Sequence, residues 1–253
     1  MTEQPPNQTT EAPRERIRIK MPQAKPVVTI SLIVITTVIF IFQYLQKATN
    51  NTDTLFLLGG KINAFIAAGQ IWRLITPAFL HTSIPHLAFN MYALYIIGRN
   101  IERFYGHGRF LVLYLLGAFG GNVLSYVLTP ANSLGASTAV FAILAAEGVF
   151  IYENRKLFGP QRTREMITNL VMVTLINLSF GLIPGFNVDN MGHIGGILGG
   201  IFFAWKAGPI LQIKGQPPFF EMVDSRKKGE VLLTALIVLA GFTIIAFLPT
   251  FAG

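Results

Sequence analysis

Seven stretches of the chain run for about fifteen to twenty residues with almost no charge, the length an apolar helix needs to cross a hydrocarbon core of roughly 30 Å. They cover residues 27–46, 84–98, 110–128, 136–152, 166–183, 190–205 and 231–248, with Glu147 the one acid inside them. The second and sixth are short and contain glycine. Between the first two lie "LFLL" and "INAFIAAGQIW", apolar pieces too short to cross, which are expected to lie as interfacial segments in a long loop, 47–83. The pattern predicts an all-α membrane protein, a polytopic helical bundle.

Composition agrees: 52% of the 253 residues are hydrophobic and only 13% are charged, outside the range of soluble domains. The connections carry an orientation signal. With the N-terminus cytoplasmic, every Lys and Arg falls in an inside segment except Lys47, Lys61 and Arg73. The C-terminus is then outside. The net charge of +8 therefore reflects topology, and no nucleic-acid partner is implied. There is no cysteine, hence no disulfide framework and no thiol nucleophile, and no HExxH pair to hold zinc; no metal or cofactor is expected. Residues 1–26, rich in Pro, Gln and Thr, are expected to form a disordered cytoplasmic tail.

In this orientation spans two, four and six start from the same, outer side, and the polar oddities sit on those starts. Span two opens with "HLAFN" (His86, Asn90), span four with "GAST" (Gly135, Ser137) and span six with "DNMGHIGG" (Asp189, His193). Helix N-termini present unpaired N–H groups and the positive end of the macrodipole, which favours an anion forming among them. Each residue alone has a plainer reading, Ser137 bonding its own helix backbone, His86 at the interface and Asn90 as interhelical glue. An ionisable His193 inside a span is harder to explain by packing. At 100° per residue His86 and Asn90 share a face, as do Ser137 and Phe141. Below His193, Gly196, Gly200 and Ala204 form a stripe of small residues that lets a neighbouring backbone approach closely. Close approach is what a serine and its base require.

These residues resemble the rhomboid family of intramembrane serine proteases. The resemblance covers about residues 27–205 and rests on Trp72-Arg73 in the long loop, His86-x-x-x-Asn90, Gly135-x-Ser137, and His193-Ile-Gly-Gly with the later Gly199 and Gly200. It implies a six-helix catalytic core (27–205) and, in residues 206–253, a cytoplasmic linker and the extra C-terminal helix of the six-plus-one type. It also implies Ser137 as nucleophile, His193 as general base, and an oxyanion hole of the Ser137 N–H with His86 and Asn90. Gly135, Phe141, Gly196 and Gly200 support them, Phe141 by stacking on the His193 ring. Glu102-Arg103 resembles the family's acidic-basic pair after the second span, for which a structural role is expected. The substrates implied are single-span membrane proteins, and the setting the lipid bilayer of a bacterial plasma membrane.

Two positions depart from the family pattern. Thr138 follows the serine where Gly is usual, which puts the shape of the substrate groove in question, and Gly192 precedes the histidine where Ala is common. Asp189 reads as a helix N-cap, with a third triad member as the alternative. Glu147 reads as a hydrogen-bonded packing group, with a proton path as the alternative. The loop 183–192 is expected to act as a lid with Phe186 as its plug or anchor. Two other functions remain open on sequence: a rhomboid-like pseudoprotease that binds and routes clients, and a small-solute transporter.

Overall fold

Helices occupy each of the seven apolar windows in the computed structural model, which describes residues 18–22, 24–183, 185 and 188–247. The first window lies in α1 (Val27–Asn50); the long loop holds α2 (Thr54–Gly59), α3 (Asn63–Ala67) and two single 3-10 turns at Ile71–Leu74 and Thr76–Phe79. α4 (Ile84–Ala93) continues through a π turn at Leu94–Gly98 into α5 (Arg99–Tyr105), so the second window, short by itself, is part of one longer helical column. Then follow α6 (His107–Leu128), α7 (Ser137–Glu153), the short α8 (Arg155–Phe158), α9 (Pro160–Phe180), α10 (Asn190–Ala207) and α11 (Lys228–Ala246). Among the described residues α1, α6 and α11 are by themselves long and apolar enough to span a membrane. α6 is the central one, 67% buried, whereas α1 and α11 are 28% and 17% buried and turn apolar side chains such as Phe42 and Ile244 outward. An outward apolar surface of that extent is stable only against lipid.

α10 packs in the groove between α6 and α7, and small residues are the reason. A Cβ at Gly196 or Gly200 would collide with the backbone carbonyl of Thr138 or Ala142, and one at Gly195 would lie 2.5 Å from the Gly120 carbonyl. The stripe below His193 therefore meets α7, on its Thr138 and Ala142 side. Gly148, further along α7, faces Leu170 of α9.

Glu102 shows how an acid is accommodated at a helix end. It accepts hydrogen bonds from the Val28 N–H (2.8 Å), the Thr29 N–H (2.8 Å) and the Thr29 hydroxyl (2.6 Å), and lies 2.6 Å from His107 Nδ1. A carboxylate from α5 thus caps the N-terminus of α1, where Pro26 offers no side-chain acceptor. Burial pushes the carboxyl up, yet the bonds from Thr29, Val28 and His107 outweigh it and hold it below the usual range. Glu102→Ala strands these donors and is expected to lower stability by about 2 to 4 kcal/mol, read as a fall in melting temperature. A shift below about 0.5 kcal/mol would remove the cap from this account.

Both chain ends carry structure that the apolar windows do not announce. Residues 18–20 of the supposedly disordered tail form a strand, β1 (Arg18–Lys20), and the Pro22 carbonyl accepts a bond from Arg103 Nε. Residues 1–17 lie outside the described residues. The linker after α10 is a hairpin of β2 (Leu211–Gln216) and β3 (Phe219–Asp224), and β1 adds to it in parallel, giving the order β1-β3-β2. Cross-strand register puts Ile19, Phe220, Met222, Ile213 and Leu211 on one face, whose Leu211 is buried in the core and whose Met222 packs against it. Asn154 secures this at the end of α7, accepting the Leu211 N–H at 2.7 Å.

Candidate active site

The segment before α7 sets the height of the serine. Gly135 has φ +135° and donates its N–H to the Pro77 carbonyl at 2.9 Å. Its missing side chain matters as much as its backbone: a Cβ there would lie 2.8 Å from the His86 ring and 3.7 Å from Ser137 Oγ. His86 and Ser137 therefore flank one small space that any residue but glycine would fill. Ser137 opens α7, so its N–H belongs to the first turn, where no preceding helical carbonyl exists to accept it.

His193 lies one turn into α10 and is buried. Its Nε2 is 2.9 Å from Ser137 Oγ, and its ring stacks on Phe141 with centroids 4.2 Å apart and an interplanar angle of 26°. Nδ1 is buried without a hydrogen-bond partner among the described residues. Asp189 does not reach it. One of its oxygens accepts the Gly192 N–H at 2.8 Å, the N-cap bond, and the other accepts the Ser125 hydroxyl at 2.5 Å. The arrangement is a dyad in which aromatic stacking, and no carboxylate, orients the imidazole.

His86 contacts the Thr82 hydroxyl through Nδ1 at 3.2 Å, which leaves Nε2 on the side of Gly135 and Ser137. Asn90, buried one turn further on, donates Nδ2 to the His86 carbonyl at 2.9 Å. The structure thus brings His86 to the serine and ties Asn90 to the turn that carries His86. Glu147 is half-buried and, contrary to expectation, has no hydrogen bond or ion pair among the described residues. Phe186, with Pro184 and Asn187, lies outside the described residues; Asn190 Nδ2 donates to the Leu178 carbonyl at 3.0 Å and links the end of α9 to the start of α10.

The two departures from the family pattern belong together. Thr138 points between helices and not into a groove: a Cβ at Gly192 would lie 3.1 Å from Thr138 Cγ2 and 2.8 Å from the Asp189 carboxylate, and one at Gly121 would lie 2.5 Å from Thr138 Cβ. The larger residue at 138 is accommodated by the smaller one at 192. Gly192→Ala is expected to destabilise by about 1 to 3 kcal/mol, and adding Thr138→Gly to recover part of that loss. Additive losses in denaturant titrations of the two single variants and the double would break this link.

One residue of the site went unremarked in the sequence. His81 is fully buried, its Nε2 accepts the Ala136 N–H at 3.4 Å, and its ring meets His86 edge-on with centroids 4.9 Å apart. Burial, with His86 adding to it, pushes His81 down to about 3, so it stays neutral and keeps an acceptor for that N–H. The signal available was its spacing five residues before His86, which follows no helical or strand period because a turn intervenes.

A serine and a histidine hydrogen-bonded where two helix N-termini meet, inside an outward-apolar bundle, define a membrane-embedded Ser–His site. Comparison with known proteins agrees with this class. The family model for the Rhomboid domain matches residues 68–210, and the chain belongs to the rhomboid family. It is 42% identical over 184 residues to the rhomboid protease GluP of Bacillus subtilis (strain 168), covering 73% of this chain and 35% of that one. It is 33% identical over 159 residues to RHOMBOID-like protein 9, chloroplastic, of Arabidopsis thaliana, covering 62% and 36%. With Rhomboid-like protease 3 of Toxoplasma gondii it shares 38% over 154 residues, covering 60% and 57%. The chain thus spans between about a third and somewhat over half of the length of these relatives.

Proposed function

We propose that this protein is an intramembrane serine endopeptidase that hydrolyses peptide bonds in or near the spanning helices of single-span membrane proteins. The observation that carries the reading is the 2.9 Å contact of His193 Nε2 with Ser137 Oγ at the start of α7. His193 takes the hydroxyl proton as Ser137 attacks the substrate carbonyl, then passes it to the leaving amine. The tetrahedral oxyanion is met by the Ser137 N–H and His86 Nε2–H, with Asn90 fixing the turn of His86 and lending its amide. Water deprotonated by His193 then releases the acyl group. Because helical peptide bonds are shielded, substrates with small or helix-breaking residues near the cleaved bond are favoured.

The protein sits as a multi-pass protein in a bacterial plasma membrane, N-terminus cytoplasmic and C-terminus outside, with residues 27–205 as the catalytic core and 206–253 as linker and added helix. The test is incubation of the purified protein with a panel of single-span membrane proteins and mapping of the cleaved bond by mass spectrometry. Cleavage by wild type but not by Ser137→Ala supports the reading; absence of cleavage across the panel, together with no reaction of Ser137 with a fluorophosphonate, rejects it.

A further inference from the structure

Lys61 is buried to 0% exposure although it lies in the long loop between α1 and α4, far in sequence from the serine. A lysine is rarely buried without a task for its charge. Its ammonium donates to the Thr129 carbonyl at 3.0 Å and to the Ala131 carbonyl at 2.7 Å, both just past the C-terminus of α6. That is the negative end of a long helix, where a cation is stabilised. Its backbone does a second job. The Lys61 N–H donates to the Ser133 carbonyl at 2.9 Å and the Lys61 carbonyl accepts the Ser133 N–H at 3.1 Å, an isolated antiparallel bridge.

The loop on which Lys61 stands is itself held. Arg73, also buried, donates to the carbonyls of Gly60 and Leu57 and to Gln70 Oε1, and stacks over Phe65 at 4.7 Å. Asn63 Nδ2 bonds the Tyr126 and Thr129 carbonyls at 3.1 and 2.9 Å. From this platform Lys61 grips the segment 129–133 at three backbone positions, and four residues later that segment delivers Ser137. Pro77 and His81 hold the next two N–H groups, those of Gly135 and Ala136.

We propose that Lys61 is a positioning residue for the Ser137 nucleophile, its ammonium and backbone together setting the path of residues 129–136 and so the placement of Ser137 Oγ and N–H toward the substrate carbonyl. The inference rests on the protease reading of the dyad. It assigns Lys61 no contact with substrate. Small displacements of a reacting group cost rate steeply, about a hundredfold for roughly 1 Å.

Charge gives the proposal a signature that mere structural support lacks. Burial pushes the Lys61 ammonium down to about 8, and the Asp189 carboxylate at the start of α10, the charged side chain whose field reaches it, offsets part of that. The other groups facing the ammonium are the neutral carbonyls and amide of α3 and the α6 end. Above that pH the clamp loses its charge-assisted bonds, so turnover falls. Stability moves the other way: a lysine whose folded value is depressed releases its proton earlier in the folded state, so its contribution to folding rises between about 8 and the unfolded 10.5. Activity lost while stability is gained separates positioning from unfolding.

The experiment follows the rate at which a fluorophosphonate labels Ser137 in the purified protein in detergent micelles, as a function of pH, for wild type, K61M and K61R, with melting temperatures in parallel. The wild-type rate is expected to fall several-fold as pH rises through about 8. K61R, which keeps a cation at all these pH values, retains its rate across that limb, and K61M labels about ten- to a hundredfold more slowly at neutral pH with probe affinity unchanged. Wild-type labelling with an equal K61M rate, or an alkaline limb that persists in K61R, overturns the inference while leaving the dyad standing. No labelling of wild type overturns the dyad reading and this inference with it. Should K61M not fold, the wild-type and K61R limbs decide alone.

Discussion

Ser137→Ala is expected to lose reaction with fluorophosphonates and cleavage of membrane substrates by roughly 10⁴-fold or more, and His193→Ala to lose nearly as much. Neither loss should reflect unfolding. Ser137→Ala removes one hydroxyl whose bond is to the partner that acts with it, a cost of about 1 kcal/mol in stability. His193→Ala also removes the ring stacked on Phe141, so its melting temperature should drop further than that of Ser137→Ala. The two losses should not add, because a base without its nucleophile has nothing to deprotonate. A double variant much slower than either single one, or equal labelling of Ser137→Ala by the probe, removes the dyad from the mechanism.

Gly135→Ala is expected to be the next most damaging change, although it adds one methyl group to a residue that takes no part in the chemistry. The methyl would sit 2.8 Å from the His86 ring, in a backbone conformation of φ +135° that side chains rarely adopt. If His86 is the side-chain donor to the oxyanion, displacing it should cost what removing a donor costs, about 10² to 10³ in kcat with little change in KM. His86→Ala should fall in the same range. The combined variant should lie within a few-fold of His86→Ala alone, since the methyl then has no ring to displace. Full additivity would mean that Gly135 acts on Ser137 and not through His86.

How the site was legible can be followed residue by residue. Ser137, His193, His86 and Asn90 stood out because polar groups in apolar windows are costly and because all four fall near the starts of helices running the same way. Phe141 followed from helical arithmetic, since one turn separates it from Ser137. His81 and Lys61 were less visible as contributors, and Arg73 only through the Trp72-Arg73 pair: they lie in the long loop, where no period relates a residue to its neighbours in space. Lys61 even counted only as an outside charge. The hairpin after α10 was missed because its strands are short and its apolar face alternates over only a few residues, too brief a pattern to separate from a polar linker.

What the sequence determined by itself was everything set by solvent and by local geometry. Seven apolar windows demanded helices because lipid leaves backbone groups no other partner, and the glycines of α10 announced a tight approach before its partner was known. The tertiary structure decided which face of α7 those glycines meet, that Thr138 and Gly192 share one space, that the second Asp189 oxygen takes the Ser125 hydroxyl of α6 and leaves His193 Nδ1 alone, and that Glu102 closes the N-terminus of α1. Each of these joins residues from different helices. Helix and span follow from interactions within a few residues of the chain, whereas a 2.9 Å contact between Ser137 and His193 depends on how every intervening helix packs.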